Sequence, residues 1–144
     1  MTAFDTNILL HAHHAGSPLN AAAREYLTGI SAMDAVVMCE LVLVELYVLL
    51  RNPAVVGKPL SSEAAVKIIA PYRRHPRWRL VESAEVMTRV WTLAQGPGFA
   101  RRRIFDARLA FTLQHHGVTD FATLNVKDFD GLGFRRVWNP LADE

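Results

Sequence analysis

The chain has 144 residues, the length of one domain, and its single cysteine, Cys39, excludes an internal disulfide framework and fits a reducing compartment. Hydrophobic residues make up 51%, but Glu40 and Glu45 interrupt the longest apolar run, which excludes a membrane-spanning helix. A formal net charge of +2 and a pI near 9.0 are compatible with nucleic-acid binding but do not require it. Because the amino terminus carries Asp5 and no basic segment, we expect no secretory signal, and a cytoplasmic protein with one domain over residues 1–144.

The first predicted elements are a short strand and two helices. Residues 2–4 predict a buried strand that ends at Asp5, where strand-end and helix-start residue types meet. A helix is predicted over residues 6–15. A second helix is expected from Pro18 to Gly29, because proline is favoured at the first position of a helix and glycine just past its end.

The middle of the chain predicts a strand followed by an apolar helix. Residues 34–39 are apolar without alternation, which is typical of a parallel strand covered on both faces. Residues 40–51 have helical length, and Glu40 and Glu45 lie about 500° apart around the helix axis. Only one of the two can therefore face a common site, and residues 52–59 predict a connecting loop.

The remaining segments continue the alternation of helices and strands. A helix is predicted over residues 64–72, begun by Ser61, Ser62 and Glu63 and closed by Pro76, and a strand over 78–81 follows it. Ser83 is predicted to cap the next helix, which carries Val86, Val90, Leu93 and Ala94 and ends at a mobile break over 95–98. The last elements are a helix over 101–116, a strand over 120–124, a loop over 125–133 and a strand over 136–138. Strands separated by helices imply right-handed crossovers. The sequence therefore predicts a three-layer α/β/α fold around a mostly parallel sheet of about four to five strands.

Acidic side chains occur at four places in the chain, three of which follow the carboxyl end of a predicted strand. Asp5 follows the first strand, Glu45 lies in the helix after the second, Asp106 lies early in a helix, and Asn125 and Asp128 follow the fourth strand. In open α/β sheets ligands bind at the carboxyl ends of the strands. Carboxylates gathered there repel one another unless a cation compensates, and oxygen ligands favour Mg²⁺ or Mn²⁺, which support phosphodiester cleavage.

Each acid also has a structural interpretation that remains open from the sequence. Asp5 can cap the first helix, and Asp106 can interact with the helix dipole. Glu45 can pair with Arg51 or face solvent, and Asp128 can form a turn.

Four motifs, in this order, resemble those of the PIN-domain nucleases. They are Asp5-Thr6-Asn7-Ile8-Leu9-Leu10, Leu43-Val44-Glu45-Leu46, Phe105-Asp106-Ala107-Arg108-Leu109-Ala110 and Thr123-Leu124-Asn125-Val126-Lys127-Asp128-Phe129. They cover nearly the whole chain, and their order and separation are more specific than any one of them. Within this family the chain is most similar to the VapC-type toxins of bacterial toxin–antitoxin pairs, which are small metal-dependent endoribonucleases.

The resemblance implies a set of catalytic and metal-binding residues. Asp5, Glu45 and Asp106 match the three principal acids, and Asn125 with Asp128 occupies the variable fourth position. Many relatives carry aspartate where Asn125 stands, so a second metal would bind weakly or depend on Asp128. The implied cofactor is Mg²⁺ or Mn²⁺, and the implied partners are an RNA substrate and a cognate antitoxin protein.

Further polar residues predict supporting roles. Thr6 and Asn7, next to Asp5, and Thr123 and Asn125 in the fourth motif can orient a carboxylate or a phosphate, although capping explains Thr6 and Asn7 equally well.

Two arginine clusters are candidates for RNA binding. Arg101, Arg102 and Arg103 directly precede the helix that bears Asp106 and are predicted to contact phosphates. A solvated face is the alternative for them, and it is favoured for Arg73, Arg74, Arg77 and Arg79. The histidines His11, His13, His14, His115 and His116 are expected on solvated helix surface rather than at a zinc site, because only one cysteine accompanies them.

Competing functions are weaker fits to the motifs. A phosphoryl-transfer hydrolase would need a second aspartate two residues after Asp5, where Asn7 stands, and a receiver domain would carry its aspartate near mid-chain. A PIN-like scaffold that binds RNA or protein without cleaving is the remaining alternative, because of Asn125. The mean hydropathy of +0.11 predicts a homodimer whose apolar surface also binds the antitoxin. The tryptophans Trp78, Trp91 and Trp138 are expected mostly in the core.

Overall fold

The computed structural model describes residues 1–142, and the last two residues of the expected domain, Asp143 and Glu144, lie outside the described residues. The elements are β1 (Thr2–Phe4), α1 (Thr6–His13), α2 (Asn20–Ser31), β2 (Val37–Cys39), α3 (Glu40–Leu50), α4 (Pro53–Val56), α5 (Ser62–Arg73), β3 (Arg79–Val81), α6 (Met87–Ala94), α7 (Arg103–His115), β4 (Asp120–Ala122), α8 (Val126–Phe129) and β5 (Arg136–Trp138).

All strand pairs of the described residues are parallel, as the sequence predicts. β1, β4 and β5 form one sheet in the order β1-β4-β5, and β2 pairs with β3. A parallel bridge between Thr2 and Val36 and a 2.9 Å hydrogen bond from the Thr2 N–H to the Ala35 carbonyl join β1 to β2. The strands thus follow the order β3-β2-β1-β4-β5. From β1 the chain adds β2 and β3 on one side of the sheet and then β4 and β5 on the other side. The strand order therefore reverses at β1, and folds of this kind bind ligands at such a switch point.

Helices cover both faces of the strands. α1, α2, α3 and α5 pack in sequence against one another, and α6, α7 and α8 form a second packed group. Right-handed crossovers place these two groups on opposite faces, because the direction of chain movement across the sheet reverses between β3 and β4. The predicted three-layer α/β/α arrangement is therefore confirmed.

The core lies between these layers and is apolar on every side of β1 and β4. Phe4 and Phe121 on these two strands and Leu46 on α3 are completely buried. Phe4 contacts Trp78 edge to face at a centroid distance of 5.4 Å. By contrast, Trp91 on α6 is 59% exposed and is the exception to the expectation that the tryptophans lie mostly in the core. Its helix turns Val90 into the core instead, which leaves the next position outside.

The second helix begins and ends later than predicted. Pro18 precedes α2, and Gly29 lies inside it, because the helix runs on to place Ile30 in the core. Ser83 does not cap α6, which begins at Met87 without a side-chain cap. Here a buried contact sets the helix boundary rather than glycine or serine.

Two predicted loops contain single-turn helices. Asn52 accepts a 3.0 Å hydrogen bond from the Ala54 N–H, and Pro53 occupies the first turn, so α4 forms within the segment predicted as a loop. α8 forms after β4 because Phe129 is buried in the core. The other boundaries differ by a few residues, with α5 continuing through Pro71 and ending before Pro76.

Within residues 1–142, none of the helices combines the length and the apolarity that crossing a membrane requires.

Candidate active site

The floor of the candidate site is set by the register of β1 and β4. Phe4 pairs with Ala122, and the Asp5 N–H donates a 2.8 Å hydrogen bond to the Ala122 carbonyl. The next residues, Asp5 and Thr123, therefore leave the two strands side by side. Strand pairing alone brings together two side chains that are 118 positions apart in the sequence.

Asp5 is held by hydrogen bonds on both carboxylate oxygens. Its Oδ1 accepts from the Thr6 N–H at 2.7 Å, which makes it the N-cap of α1. Its Oδ2 accepts from the Thr123 hydroxyl at 2.7 Å, and the Thr123 oxygen itself accepts from the Asn125 N–H at 3.0 Å. The capping and site interpretations of Asp5 are thus compatible, because each oxygen has a second lone pair for another partner.

Glu45 reaches the same cleft from α3. The Thr6 hydroxyl lies 3.2 Å from Glu45 Oε2 and 3.3 Å from the Val42 carbonyl oxygen. The alternative pairing of Glu45 with Arg51 is absent in the described residues, since Arg51 donates to the Tyr47 hydroxyl instead.

The other glutamate of α3 faces away, as the helical spacing predicts. Glu40 forms a 2.7 Å ion pair with Arg73 on α5. Glu40 therefore belongs to the packing of two helices, and Glu45 is the glutamate of α3 that lines the cleft.

The remaining acids come from α7 and α8. Asp106 lies in the first turn of α7 and is half-buried, and Asp128 lies on α8 and is exposed. Asn125 precedes α8 and contributes its backbone N–H to Thr123, while its side chain lines the cleft. Asn7, the remaining predicted helper, accepts a long 3.5 Å hydrogen bond from the Leu124 N–H.

These side chains line one cleft of about 680 Å³. Its lining residues are Asp5, Asn7, Leu41, Val44, Glu45, Leu49, Ala100, Arg102, Arg103, Phe105, Asp106, Arg108, Leu109, Asn125 and Asp128. A second cavity of about 740 Å³ opens at the other edge of the sheet, beside Thr2, Tyr26 and Arg136. Size does not distinguish the two cavities, but only the first gathers the predicted acids, which makes that cleft the candidate site.

Burial and repulsion between carboxylates raise the pKa values of two acids of the cleft, Asp5 and Asp106. Burial is the largest cause that raises the pKa of Asp5 from 3.8 to about 6, and the carboxylates of Glu45 and Asp106 act in the same direction. The pKa of Asp106 also rises to about 6, first by burial and then by the charges of Asp128 and Glu45. Hydrogen bonds from Thr123 and Thr6 favour the charged form of Asp5 and oppose this shift. The cleft thus concentrates negative charge that a cation would offset.

The carboxylate and amide oxygens of the cleft are suitable ligands for a hard divalent cation. Every polar side chain at the floor offers oxygen, and carboxylates with carbonyl or amide oxygens are the ligands of Mg²⁺ and Mn²⁺. Within residues 1–142, however, no three His, Cys, Asp or Glu side chains stand close enough to share one ion. Coordination would therefore require these carboxylates to draw together.

The predicted arginines divide between the cleft and its surroundings. Arg102 and Arg103 line the cleft, and Arg103 is fixed by a 2.8 Å hydrogen bond to the Asp130 carbonyl. Arg101 is exposed and does not line it. In the earlier cluster, Arg77 pairs with Asp34 at 3.1 Å, which agrees with a surface role.

The histidines lie apart from the acids. His11 Nδ1 is 2.6 Å from the Ser17 hydroxyl, and His13 Nε2 is 2.6 Å from the Tyr72 hydroxyl. His116 contacts the Glu82 carbonyl at 3.1 Å. These contacts are structural, and none of the histidines lines the cleft.

Several further residues line the cleft for which the sequence alone indicates no role. Phe105 and Arg108 lie on α7 on either side of Asp106 and Ala107, and Val44 lies next to Glu45. The sequence shows that these residues are close to the predicted acids along the chain, but it does not show that their side chains are exposed in the same cleft.

Comparison with known proteins identifies the family. The sequence model described as PIN domain matches residues 3–134. Ribonuclease VapC24 of Mycobacterium tuberculosis is 50% identical over 144 residues, which cover 100% of this chain and 99% of the relative. The chain belongs to the VapC-type ribonucleases of the PIN-domain family.

More distant PIN-domain proteins agree with this assignment. Ribonuclease VapC48 of Mycobacterium tuberculosis is 26% identical over 136 residues, which cover 92% of this chain and 94% of that relative. The crystal structure of Mycobacterium tuberculosis VapC20, described as a sarcin-ricin loop cleaving toxin, is similar with a TM-score of 0.63 at 20% identity, over 84% of this chain and 87% of that chain. At that identity the structural likeness supports the fold alone.

Proposed function

We propose that this protein is a metal-dependent endoribonuclease, the cytoplasmic toxin of a bacterial toxin–antitoxin pair, that hydrolyses RNA phosphodiester bonds in the acidic cleft. The observation that carries the proposal is the convergence of Asp5, Glu45, Asp106 and Asp128, which come from separate parts of the chain, in one cleft. Membership of the VapC-type ribonucleases supports RNA as the substrate class. We expect the substrate to be a structured RNA that exposes a single strand.

The proposed mechanism gives the residues of the cleft different roles. Asp5, Asp106 and Asp128 would hold Mg²⁺ or Mn²⁺, and Glu45 would serve as a further ligand or as the base for the attacking water. A bound cation lowers the pKa of water and offsets charge on the scissile phosphate. Thr123 and the Thr6 N–H orient the Asp5 carboxylate through the two 2.7 Å hydrogen bonds to its oxygens.

The remaining predicted residues act at the edge of this arrangement. Arg102 and Arg103 lie where flanking phosphates would bind, because they line the cleft beside the acids. Asn125 adds an oxygen donor without charge, so a second cation would depend on Asp128. The alternative function, a PIN scaffold that binds RNA or protein without cleaving, is favoured by Asn125 and opposed by the four acids.

The test is cleavage of total cellular RNA with Mg²⁺ or Mn²⁺, with EDTA as the metal-free control. We expect Asp5→Asn, Glu45→Gln and Asp106→Asn to lower the cleavage rate by about 10²-fold or more, because each removes a ligand or base from the transition state. Calorimetric titration should show weaker Mn²⁺ binding to Asp5→Asn and Asp106→Asn than to the wild type.

Matched controls use acids of the same elements that lie outside the cleft. Glu40→Gln on α3 should leave cleavage unchanged, since Glu40 pairs with Arg73, and Asp130→Asn serves the same purpose beside α8. Cleavage that persists in EDTA, or in all three site variants, would falsify the mechanism. Metal-independent RNA binding without cleavage would instead support the scaffold.

The partner proposal is a homodimer that also receives a cognate antitoxin. On α3, Val44 and Val48 are 61% and 57% exposed, and Val44 also lines the cleft, so a partner covering these apolar side chains would lie next to the cleft. Light scattering at high concentration should give the mass of a dimer. A monomer at every concentration tested, with no stabilising partner co-purifying from the native host, would contradict this proposal.

A further inference from the structure

An exposed aromatic ring stands beside the acids of the cleft. Phe105 is 63% exposed although it lies in the first turn of α7, directly before Asp106. Helical spacings of three, four and seven residues place Phe105, Asp106 and Leu109 of α7 on the same side as Arg102, the residue directly before the helix, and all four line the cleft. Phe105 therefore faces the same space as the acids.

The fold does not explain this exposure. Phe105 is absent from the described hydrophobic core and from the partly buried side chains packed against it, whereas Ile104 packs on that core. A phenylalanine that stays out of the core leaves a large apolar face in water, which favours a role in binding.

The surroundings of the ring are charged on several sides. The Arg102 guanidinium lies 5.8 Å from the centre of the Phe105 ring, and Arg103 and Arg108 also line the cleft. Exposed aromatic rings among cationic side chains are the usual platform for single-stranded nucleic acid, because bases stack on the ring while the cations contact the backbone. The cleft also holds Glu45 and Asp106, the acids proposed to act on RNA, and acidic side chains are depleted at the centres of protein–protein interfaces, which favours RNA as the ligand of the ring.

We propose that Phe105 stacks on an unpaired base of the RNA next to the scissile phosphate, while Arg102 contacts the adjoining phosphate. This inference rests on the proposed function, since it takes single-stranded RNA as the ligand of the cleft. Stacking does not depend on base identity, so Phe105 would hold the strand in position without reading its sequence. The residue therefore contributes to substrate binding, and the acids retain the chemistry.

The experiment compares Phe105→Leu, Phe105→Tyr and Phe105→Trp with Trp91→Leu as the matched control. Trp91 is also exposed, at 59%, but it lies on α6 and does not line the cleft. The probes are a fluorescein-labelled oligouridylate and its abasic counterpart of equal length, with Kd measured by fluorescence anisotropy in EDTA. Cleavage kinetics with Mn²⁺ then separate KM from kcat.

We expect Phe105→Leu to raise Kd and KM about ten-fold with little change in kcat, and the tyrosine and tryptophan variants to bind like the wild type. Removing the bases should weaken binding of the wild type but not of Phe105→Leu, because the stacking partner is already lost. Trp91→Leu should match the wild type in every measurement.

Two results would overturn the inference. One is equal loss of affinity for the abasic strand in the wild type and in Phe105→Leu. The other is unchanged RNA binding by Phe105→Leu, and a lower molecular mass in light scattering would then assign the ring to a protein interface. If the wild type cleaves no RNA, the proposed function fails, but the anisotropy comparison still decides the role of Phe105.

Discussion

At the scale of single residues, Asp5 shows how one side chain serves both fold and site. One carboxylate oxygen caps α1 through the Thr6 N–H, and the other joins β1 to β4 through the Thr123 hydroxyl. An asparagine at position 5 retains one acceptor oxygen for the cap but carries no charge. Substitution there should therefore affect metal binding much more than folding.

Tyr26 illustrates the opposite case, a polar atom whose removal should cost little. Its hydroxyl is buried without a hydrogen-bond partner among residues 1–142, and burial raises its pKa to about 12. We expect Tyr26→Phe to leave the free energy of unfolding unchanged or to raise it by up to about 1 kcal/mol, because an unsatisfied buried hydroxyl is destabilising. Urea denaturation measures this difference.

Tyr72 is the control for that measurement. Its hydroxyl lies 2.6 Å from His13 Nε2, so Tyr72→Phe should lower the free energy of unfolding by about 1 kcal/mol. An equal loss in Tyr26→Phe would show that its hydroxyl is satisfied in solution.

At the scale of elements, α7 concentrates the residues proposed to contact RNA. Its beginning carries Arg102, Arg103 and Phe105 next to Asp106, while its middle is buried in the core. The buried part fixes the helix, so the exposed first turn presents its cations at a constant position relative to the acids.

The salt dependence of RNA binding tests the contribution of this helix. We expect Arg102→Ala to lower the slope of log Kd against log salt concentration by about one, because one phosphate contact and its released counterion are lost. Arg101→Ala is the matched control, since Arg101 adjoins the same helix but does not line the cleft, and its slope should equal that of the wild type. Equal slopes for the two variants would mean that position relative to the cleft does not matter.

At the scale of the whole molecule, the acidic cleft opposes folding in the absence of metal. Asp5 and Asp106 have pKa values of about 6 in the folded protein, against 3.8 for an ordinary aspartate. The folded protein therefore binds more protons than the unfolded chain between these values, and the free energy of unfolding must fall as pH rises through this window. Since one pKa unit corresponds to about 1.4 kcal/mol, the shift of buried Asp5 alone would account for on the order of 3 kcal/mol.

We expect metal-free protein in EDTA to lose stability between about pH 4 and pH 6.5, measured by urea denaturation at each pH. Asp5→Asn should flatten this dependence and be more stable than the wild type at pH 7. Saturating Mn²⁺ should restore the stability of the wild type at pH 7 but have less effect on Asp5→Asn. A wild-type stability that rises with pH through this window would show that the pKa values of Asp5 and Asp106 are not raised in the folded protein.

The secondary structure predicted from the sequence agrees best with the structure where the local pattern of apolar and polar residues determines the element. The strand that ends at Asp5, the apolar helix that carries Glu45, and the parallel order of the strands all follow from residue patterns. The helix boundaries at Gly29 and the turn around Phe129 do not, because there buried tertiary contacts outweigh local preference.

For the candidate site, the sequence by itself determined which side chains carry negative charge and which of them follow a strand or share a helix face. It separated Glu40 from Glu45, because their angular separation on α3 is fixed by helix geometry. Only the tertiary structure decided that Thr123 donates to Asp5, that Arg102 rather than Arg101 lines the cleft, and that the ring of Phe105 stays in solvent. The physical reason is that strand register and side-chain exposure depend on residues far away in the sequence, which periodicity along the chain does not record.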